Sequence, residues 1–255
     1  MDPGLVTPLT LTGERTIPGI ERENYWFRRH EAVYEWVAQT QSPDATGVIL
    51  EAGSGEGYGA ALLRSRLRRP IVALDYDDTA CHHASAQYLG LPVVRANLAL
   101  LPIAAQSASL VVSLQVIEHL WDVRSFLTQL CAAVVPGGRI VISTPNRLTF
   151  SPGVARGEKP LNPFHVEEFD REQLLDLLHD AGCVDVQVFG LVHADALAHD
   201  ERANGSIVDA QIAAIMGAGW NDELTERVAA VTTSDFAIVA ADDECLDLIA
   251  VGVRE

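Results

Sequence analysis

Glu118 and His119 set a carboxylate and an imidazole side by side, and a second imidazole follows at His165, in the string Asn162-Pro163-Phe164-His165. One oxygen and two ring nitrogens could hold Mg²⁺ or a softer divalent ion, and a cation there would acidify a hydroxyl brought against it. Without a metal, His119 or His165 could act as a general base, since imidazole titrates near neutral pH. A Glu-His pair alone reads more simply as a cap on the next helix. The second His gives the cluster its weight.

A second group of residues is suited to holding a ligand rather than reacting with it. From Gly53 to Gly59 every second residue is glycine, just after an apolar run and just before a helical pattern. Glycine permits a tight turn there and lets a ligand lie against amides at the helix N-terminus. A dinucleotide fingerprint would need its third glycine where Tyr58 stands, so a dehydrogenase is the least favoured reading. With Glu51 two positions ahead, the loop suits an amino-acid tail better than a pyrophosphate. Asp75, about 20 residues further on, is placed to accept both hydroxyls of a ribose, with Tyr76 beside it. Asn97 and Leu98 could meet the edge and face of an adenine. The expected cofactor contacts are Glu51, Gly53, Gly55, Gly57, Asp75, Tyr76, Asn97, Leu98 and Gln115.

Such residues need a scaffold that delivers them to one crevice, and the patterning supplies one. β-Branched apolar runs alternate with helical spacing, which predicts an α/β fold with a mostly parallel twisted sheet covered on both faces. Strands are expected at 48–51, 71–75, 93–97, 110–114, 139–143 and 184–188, and helices at 58–68, 79–89, 123–134 and 170–181. Pro136-Gly137-Gly138 predicts a helix stop and a turn. The irregular stretch 146–163 reads as a lid or binding loop. The runs 236–240 and 246–253 predict an antiparallel edge. The domain organisation follows: an N-terminal arm and helix over 1–46 as a lid, a ligand-binding core over 47–190, a helical insertion over 191–230, and strands over 231–255 that complete the sheet.

The 255 residues suffice for one such domain, and 48% hydrophobic content excludes a disordered chain. The net charge of -17, with Lys159 the single lysine, argues against nucleic acid as a partner. No apolar run reaches the ~18 residues of a membrane span. Without a signal-peptide pattern, a soluble cytoplasmic protein is expected, with a homodimer left open. Cys81, Cys131, Cys183 and Cys245 form no CxxC pair and read as small apolar residues.

The strings LEAGSGEGYG, ALDYD, ANLALLPI, LVVSLQVIEHLWD and VVPGGRIVISTPN, in that order, resemble the motifs of class I S-adenosylmethionine-dependent methyltransferases. The resemblance implies the Rossmann-like fold of that class and S-adenosylmethionine as cofactor. LTGERTIPGIERENYWFRRH, SPG with NPFH, and SIVDAQI with CLDLIAV resemble a narrower group, the mycobacterial sugar 1-O-methyltransferases of methylmannose polysaccharide synthesis. That resemblance implies a short 3-O-methylated mannoside as acceptor, methylated at its reducing-end 1-hydroxyl. The Glu118-His119 run with His165 is also similar to the metal-dependent ubiquinone-pathway and small-RNA 2′-O-methyltransferases, which use Glu-x-x-Glu-His and a later His. Gln115 stands in place of the first Glu. The alternatives are a glucoside or a small phenolic or quinone-like acceptor, or a binding module without catalysis.

Tyr25, Trp26 and Arg29 are candidate substrate contacts, Arg29 also for a cofactor carboxylate, against a plainer reading as the packing face of an N-terminal helix. Asn146 and Arg147, just after the fifth strand, are candidate acceptor contacts by position. His82, His83, His179, His193 and His199 have no spaced partner and read as surface or ordinary polar positions. Glu167-Glu168 and Asp242-Asp243-Glu244 read as solvated turns.

Overall fold

The computed structural model describes residues 16–255. The beginning of the expected 1–46 arm, with the first residues of its LTGERTIPGI string, lies outside them. In chain order the elements are α1 (Asn24–Gln39), β1 (Ile49–Ala52), α2 (Tyr58–Leu67), β2 (Ile71–Asp75), α3 (Asp78–Gln87), β3 (Val93–Arg95) and β4 (Ala108–Leu114). There follow α4 (Val123–Ala133), β5 (Val134–Pro145), a single turn α5 (Arg147–Phe150), α6 (Arg171–Asp180) and β6 (Cys183–His193). The chain ends with α7 (Asp195–Asn204), α8 (Ile207–Ala213), α9 (Asp222–Ala230), β7 (Phe236–Ala240) and β8 (Asp247–Arg254).

The strands form one sheet in the order β3-β2-β1-β4-β5-β8-β6-β7. β1 to β5 pair in parallel, and β8 pairs antiparallel with both β5 and β6. The order reverses at β1/β4, and in open α/β sheets ligands bind outside the carboxyl ends of the strands at such a point. Two apolar cores lie on the two faces: one joins α1 and α2 to the sheet, the other joins α4 and α6 to it.

The C-terminal strands differ from expectation in one respect. β7 is the edge, whereas β8 is an interior strand, buried from Asp247 to Gly252. Its nearly continuous apolar run is what burial on both faces requires. The predicted stop at Pro136-Gly137-Gly138 also moves. α4 ends at Ala133, and the Pro-Gly-Gly run forms a bulge inside β5, where the register jumps between Ala108↔Val134 and Leu110↔Arg139. All four cysteines are free and buried, and Cys131 and Cys183 meet with their sulfurs 3.6 Å apart.

Candidate cofactor and metal site

The glycine loop bridges β1 and α2. Gly53, Gly55 and Gly57 have φ of 84°, 53° and 96°, the left-handed region that side chains other than glycine's rarely enter. A Cβ on Gly53 would come within 2.3 Å of a Val116 methyl. That missing side chain brings the loop directly against the end of β4. Asp75 comes in from β2: its Oδ2 accepts the Gly55 N–H at 2.7 Å and its Oδ1 the Asp77 N–H at 2.9 Å. Each carboxylate oxygen has a further lone pair for a ribose hydroxyl. Glu51 is fully buried at the foot of the loop. The Tyr34 hydroxyl donates to its Oε1 at 2.5 Å, whereas Oε2 is buried without a hydrogen-bond partner. Burial pushes the Glu51 carboxyl up to about 8. An orphaned buried acceptor beside glycine-lined amides fits a ligand that brings an ammonium, as an amino-acid tail does.

Other expected contacts are placed as follows. Tyr76 is 66% exposed next to Asp75, Asn97 is exposed with its Oδ1 accepting the Ala99 N–H, and Leu98 is buried. Gln115 takes φ of 57°, a strained setting for a non-glycine residue at a strand end, and its amide donates to the Ser143 hydroxyl at 3.2 Å.

Beyond Gln115 a 3₁₀ turn, Ile117–His119, carries the reactive pair. The loop after β5 docks on this turn through its backbone: Val166 N–H donates to the Glu118 carbonyl at 2.7 Å, and His119 Nδ1 meets the Phe164 carbonyl at 3.2 Å. His165 is thereby brought to the turn, its ring centroid 5.1 Å from that of His119. One ligand atom from each of Glu118, His119 and His165 lies within 4.8 Å of the others. Glu118 is buried and its carboxyl is pushed up to about 8 by that burial, opposed by its own backbone N–H, His165 and the Thr144 hydroxyl at 3.1 Å. His165 is itself held by Glu168, whose Oε1 is 2.7 Å from Nδ1, and by the Asn162 amide 3.0 Å from Nε2. A carboxylate behind an imidazole is the usual outer partner of a histidine metal ligand. Two imidazoles and a buried carboxylate thus suit a divalent cation, which would take the Nε2 lone pair now facing Asn162.

Several sequence expectations require correction. Tyr25 is fully buried, its hydroxyl 2.7 Å from His193 Nε2, so it packs α1 rather than meeting a substrate. Trp26, by contrast, is partly exposed while it stacks edge-on against Tyr25 and beside the Arg29 guanidinium, and nothing in this packing overturns its candidacy. Arg29 is 1% exposed and forms a two-pronged ion pair with Asp247 at 2.6 and 2.7 Å, which anchors α1 to β8. Asn146 is buried: its amide donates to the carbonyls of Asp243 and Cys245, and its Oδ1 caps α5. Arg147 is committed to the Val154 carbonyl and Asp170. These polar groups brace the chain against itself. His83 and His193 are not surface positions either, since they pair with Glu56 at 2.9 Å and Glu201 at 2.7 Å. Glu168 is buried behind His165 and does not lie in a solvated turn. Its spacing, three residues after a candidate ligand, was the available signal.

Comparison with known proteins identifies the family. A family model described as a methyltransferase domain matches residues 25–188. A protein of Mycobacterium tuberculosis described as a probable S-adenosylmethionine-dependent methyltransferase is 51% identical over 255 residues, 96% of this chain and 90% of that one. A counterpart with a similar description in Mycolicibacterium smegmatis is 45% identical over 259 residues, covering 99% and 98%. Among solved structures, a methyltransferase of Thermotoga maritima superposes with a TM-score of 0.63 at 14% identity, over 92% of this chain and 95% of that one. Phosphoethanolamine N-methyltransferase 2 of Haemonchus contortus, in complex with S-adenosylmethionine, gives 0.56 at 14% identity, over 90% of this chain and 52% of that one. These two structural likenesses concern the fold.

Proposed function

The chain belongs to the S-adenosylmethionine-dependent methyltransferases, and on that premise we propose that it methylates a sugar hydroxyl with the help of a divalent cation, Mg²⁺, held by Glu118, His119 and His165. The convergence of those three side chains at the end of β4, next to the glycine loop, carries the reading. A hydroxyl is a poor nucleophile while protonated, and a site built for it must stabilise the developing oxyanion or remove the proton. An amine acceptor must also shed the proton it carries at neutral pH, but it develops no oxyanion for a cation to stabilise.

S-adenosylmethionine supplies a methyl group on a positively charged sulfur. The loop of Gly53 to Gly57 and Asp75 hold the adenosyl and amino-acid parts, with Glu51 Oε2 available to the ammonium. Bound cation supplies Lewis acidity at the acceptor oxygen. Glu168 holds the His165 ring through Nδ1, and the Phe164 carbonyl faces His119 Nδ1, so Nε2 of each ring is the nitrogen that would meet the cation. Without cation, the same two rings are within reach to take the acceptor proton as bases.

A neutral polyol suits a chain with net charge -17 better than a phosphorylated acceptor. The finer assignment, the reducing-end 1-hydroxyl of a short 3-O-methylated mannoside, rests on the resemblance of the terminal and loop segments to the polysaccharide methyltransferases. A small phenolic acceptor draws support from Leu161 and Phe164, 64% and 58% exposed on the loop that bears His165. The experiment is a transfer assay with labelled S-adenosylmethionine and a panel of mannosides, glucosides and catechols. Preferred methylation of the 3-O-methylated mannosides supports the proposal, and methylation confined to catechols overturns it.

A further inference from the structure

Beside the candidate metal cluster lies a groove of about 300 Å³ that the reaction described above does not use. It runs between the start of α4 and the first turns of α6, and its walls include Trp121, Asp122, Glu167, Gln173 and Asp176 over a floor of Phe169. One wall begins two residues after His119 and the other two residues after His165. The Glu167 N–H even reaches the Glu118 carbonyl, at 3.4 Å. The groove therefore starts within two residues of the cluster on both walls, although Glu118, His119 and His165 do not themselves line it.

Trp121 is 91% exposed. An indole is the largest apolar side chain, and leaving one in water forgoes burial worth roughly 1.5–3 kcal/mol, so such exposure at a groove points to a ligand. The polar lining narrows its chemistry. Asp122, Glu167 and Asp176 present carboxylate oxygens, which accept hydrogen bonds and repel anions. The guanidinium of Arg124 also lines the groove, but it is already bound to Asp180. Asp122 spends Oδ1 on the Ser125 N–H, and Glu167 Oε1 meets the Gln173 amide at 3.4 Å, which leaves further lone pairs on both carboxylates. Acceptor oxygens around a flat apolar ring match a neutral chain of hydroxyl-bearing rings, with its C–H face on the indole and its hydroxyls donating to the carboxylates. The volume is at the lower end for small-molecule sites, room for roughly one or two hexose rings.

We propose that this groove is a second saccharide subsite, which seats the sugar units of the acceptor that are not methylated, with Trp121 as the stacking platform. The inference rests on the sugar reading of the proposed function. It makes Trp121 a determinant of acceptor length, and a groove that leads away from the cluster suits methylation at one end of a chain.

The test compares mannose-series acceptors of one to four units on the wild type, Trp121→Ala and Trp121→Phe, with tryptophan fluorescence titration of the unmethylated mannotetraose alongside. The ratio of kcat/KM for the tetrasaccharide to that for the monosaccharide is expected to fall about tenfold in W121A, mainly through KM, and to recover in part in W121F. The fluorescence change on adding mannotetraose is expected to vanish in W121A. An unchanged length ratio in W121A overturns the subsite even if sugars are methylated. If no sugar is methylated the sugar reading itself falls, and the subsite falls with it unless mannotetraose still perturbs Trp121 fluorescence. Equal or tighter binding of a phosphorylated mannotetraose would contradict the acidic lining. Because Trp121 is exposed, both variants are expected to melt with the wild type.

Discussion

Glu51→Gln isolates the cost of keeping a carboxylate under the glycine loop. Glu51 is fully buried and its carboxyl is raised from an ordinary 4.5 to about 8, chiefly by that burial, with the Tyr34 hydroxyl pulling the other way. An acid whose pKa is raised on folding binds its proton more tightly in the native state. Its contribution is intact below the unfolded value and is lost as pH rises toward the folded one. At 1.36 kcal/mol per pH unit the whole window is worth about 5 kcal/mol, and about 4 of it falls between about pH 5 and pH 8.5. Glutamine keeps a carbonyl oxygen for Tyr34 and does not titrate. Urea unfolding of the cofactor-free protein at the two pH values measures the effect. The wild type is expected to lose several kcal/mol relative to E51Q as pH rises, and saturating S-adenosylmethionine to recover much of it by giving Oε2 an ammonium. Parallel pH profiles for the two proteins would refute the reasoning.

Asp75→Ala removes the acceptor of the Gly55 N–H and of the ribose hydroxyls, and should weaken S-adenosylmethionine binding by on the order of 1.5–3 kcal/mol in calorimetry. An unchanged affinity would place the ribose elsewhere. Glu168→Gln should lower divalent-metal affinity about 10–100-fold, read by titration, while the thermal midpoint stays close to the wild type's. Arg29→Met leaves Asp247 charged and buried without its partner, so unfolding free energy should drop by about 3–5 kcal/mol, and adding Asp247→Leu should restore much of it.

The parallel half of the fold was legible because buried strands and amphipathic helices repeat with different periods, and each run from Ile49 to Leu114 reports its element locally. The loop glycines were legible for a related reason: a backbone turn at positive φ next to a close neighbour leaves few residue types able to serve. Glu118, His119 and His165 could be named as candidates from residue type, but their approach depends on backbone bonds from the loop to the Glu118 carbonyl, which no local pattern encodes. Arg29 shows the opposite failure. Its charge and aromatic neighbours suggest a binding surface, yet its partner Asp247 lies 218 positions away and turns it inward. Tyr25, Asn146 and Arg147 are similar, since a polar side chain near a site looks the same in sequence whether it faces ligand or chain. β8 could have been read as interior from its continuous apolar run, although its grouping with the 236–240 run predicts an antiparallel edge.

The most direct measurement on the cation site uses Mn²⁺ as a paramagnetic stand-in for Mg²⁺, followed by electron paramagnetic resonance during titration of metal-stripped protein. One tightly bound ion per chain is predicted, lost in His165→Ala and in His119→Ala and accompanied by recovery of methyl transfer in the wild type. Full turnover by stripped protein, with no stoichiometric Mn²⁺ bound, would contradict a metal at Glu118, His119 and His165.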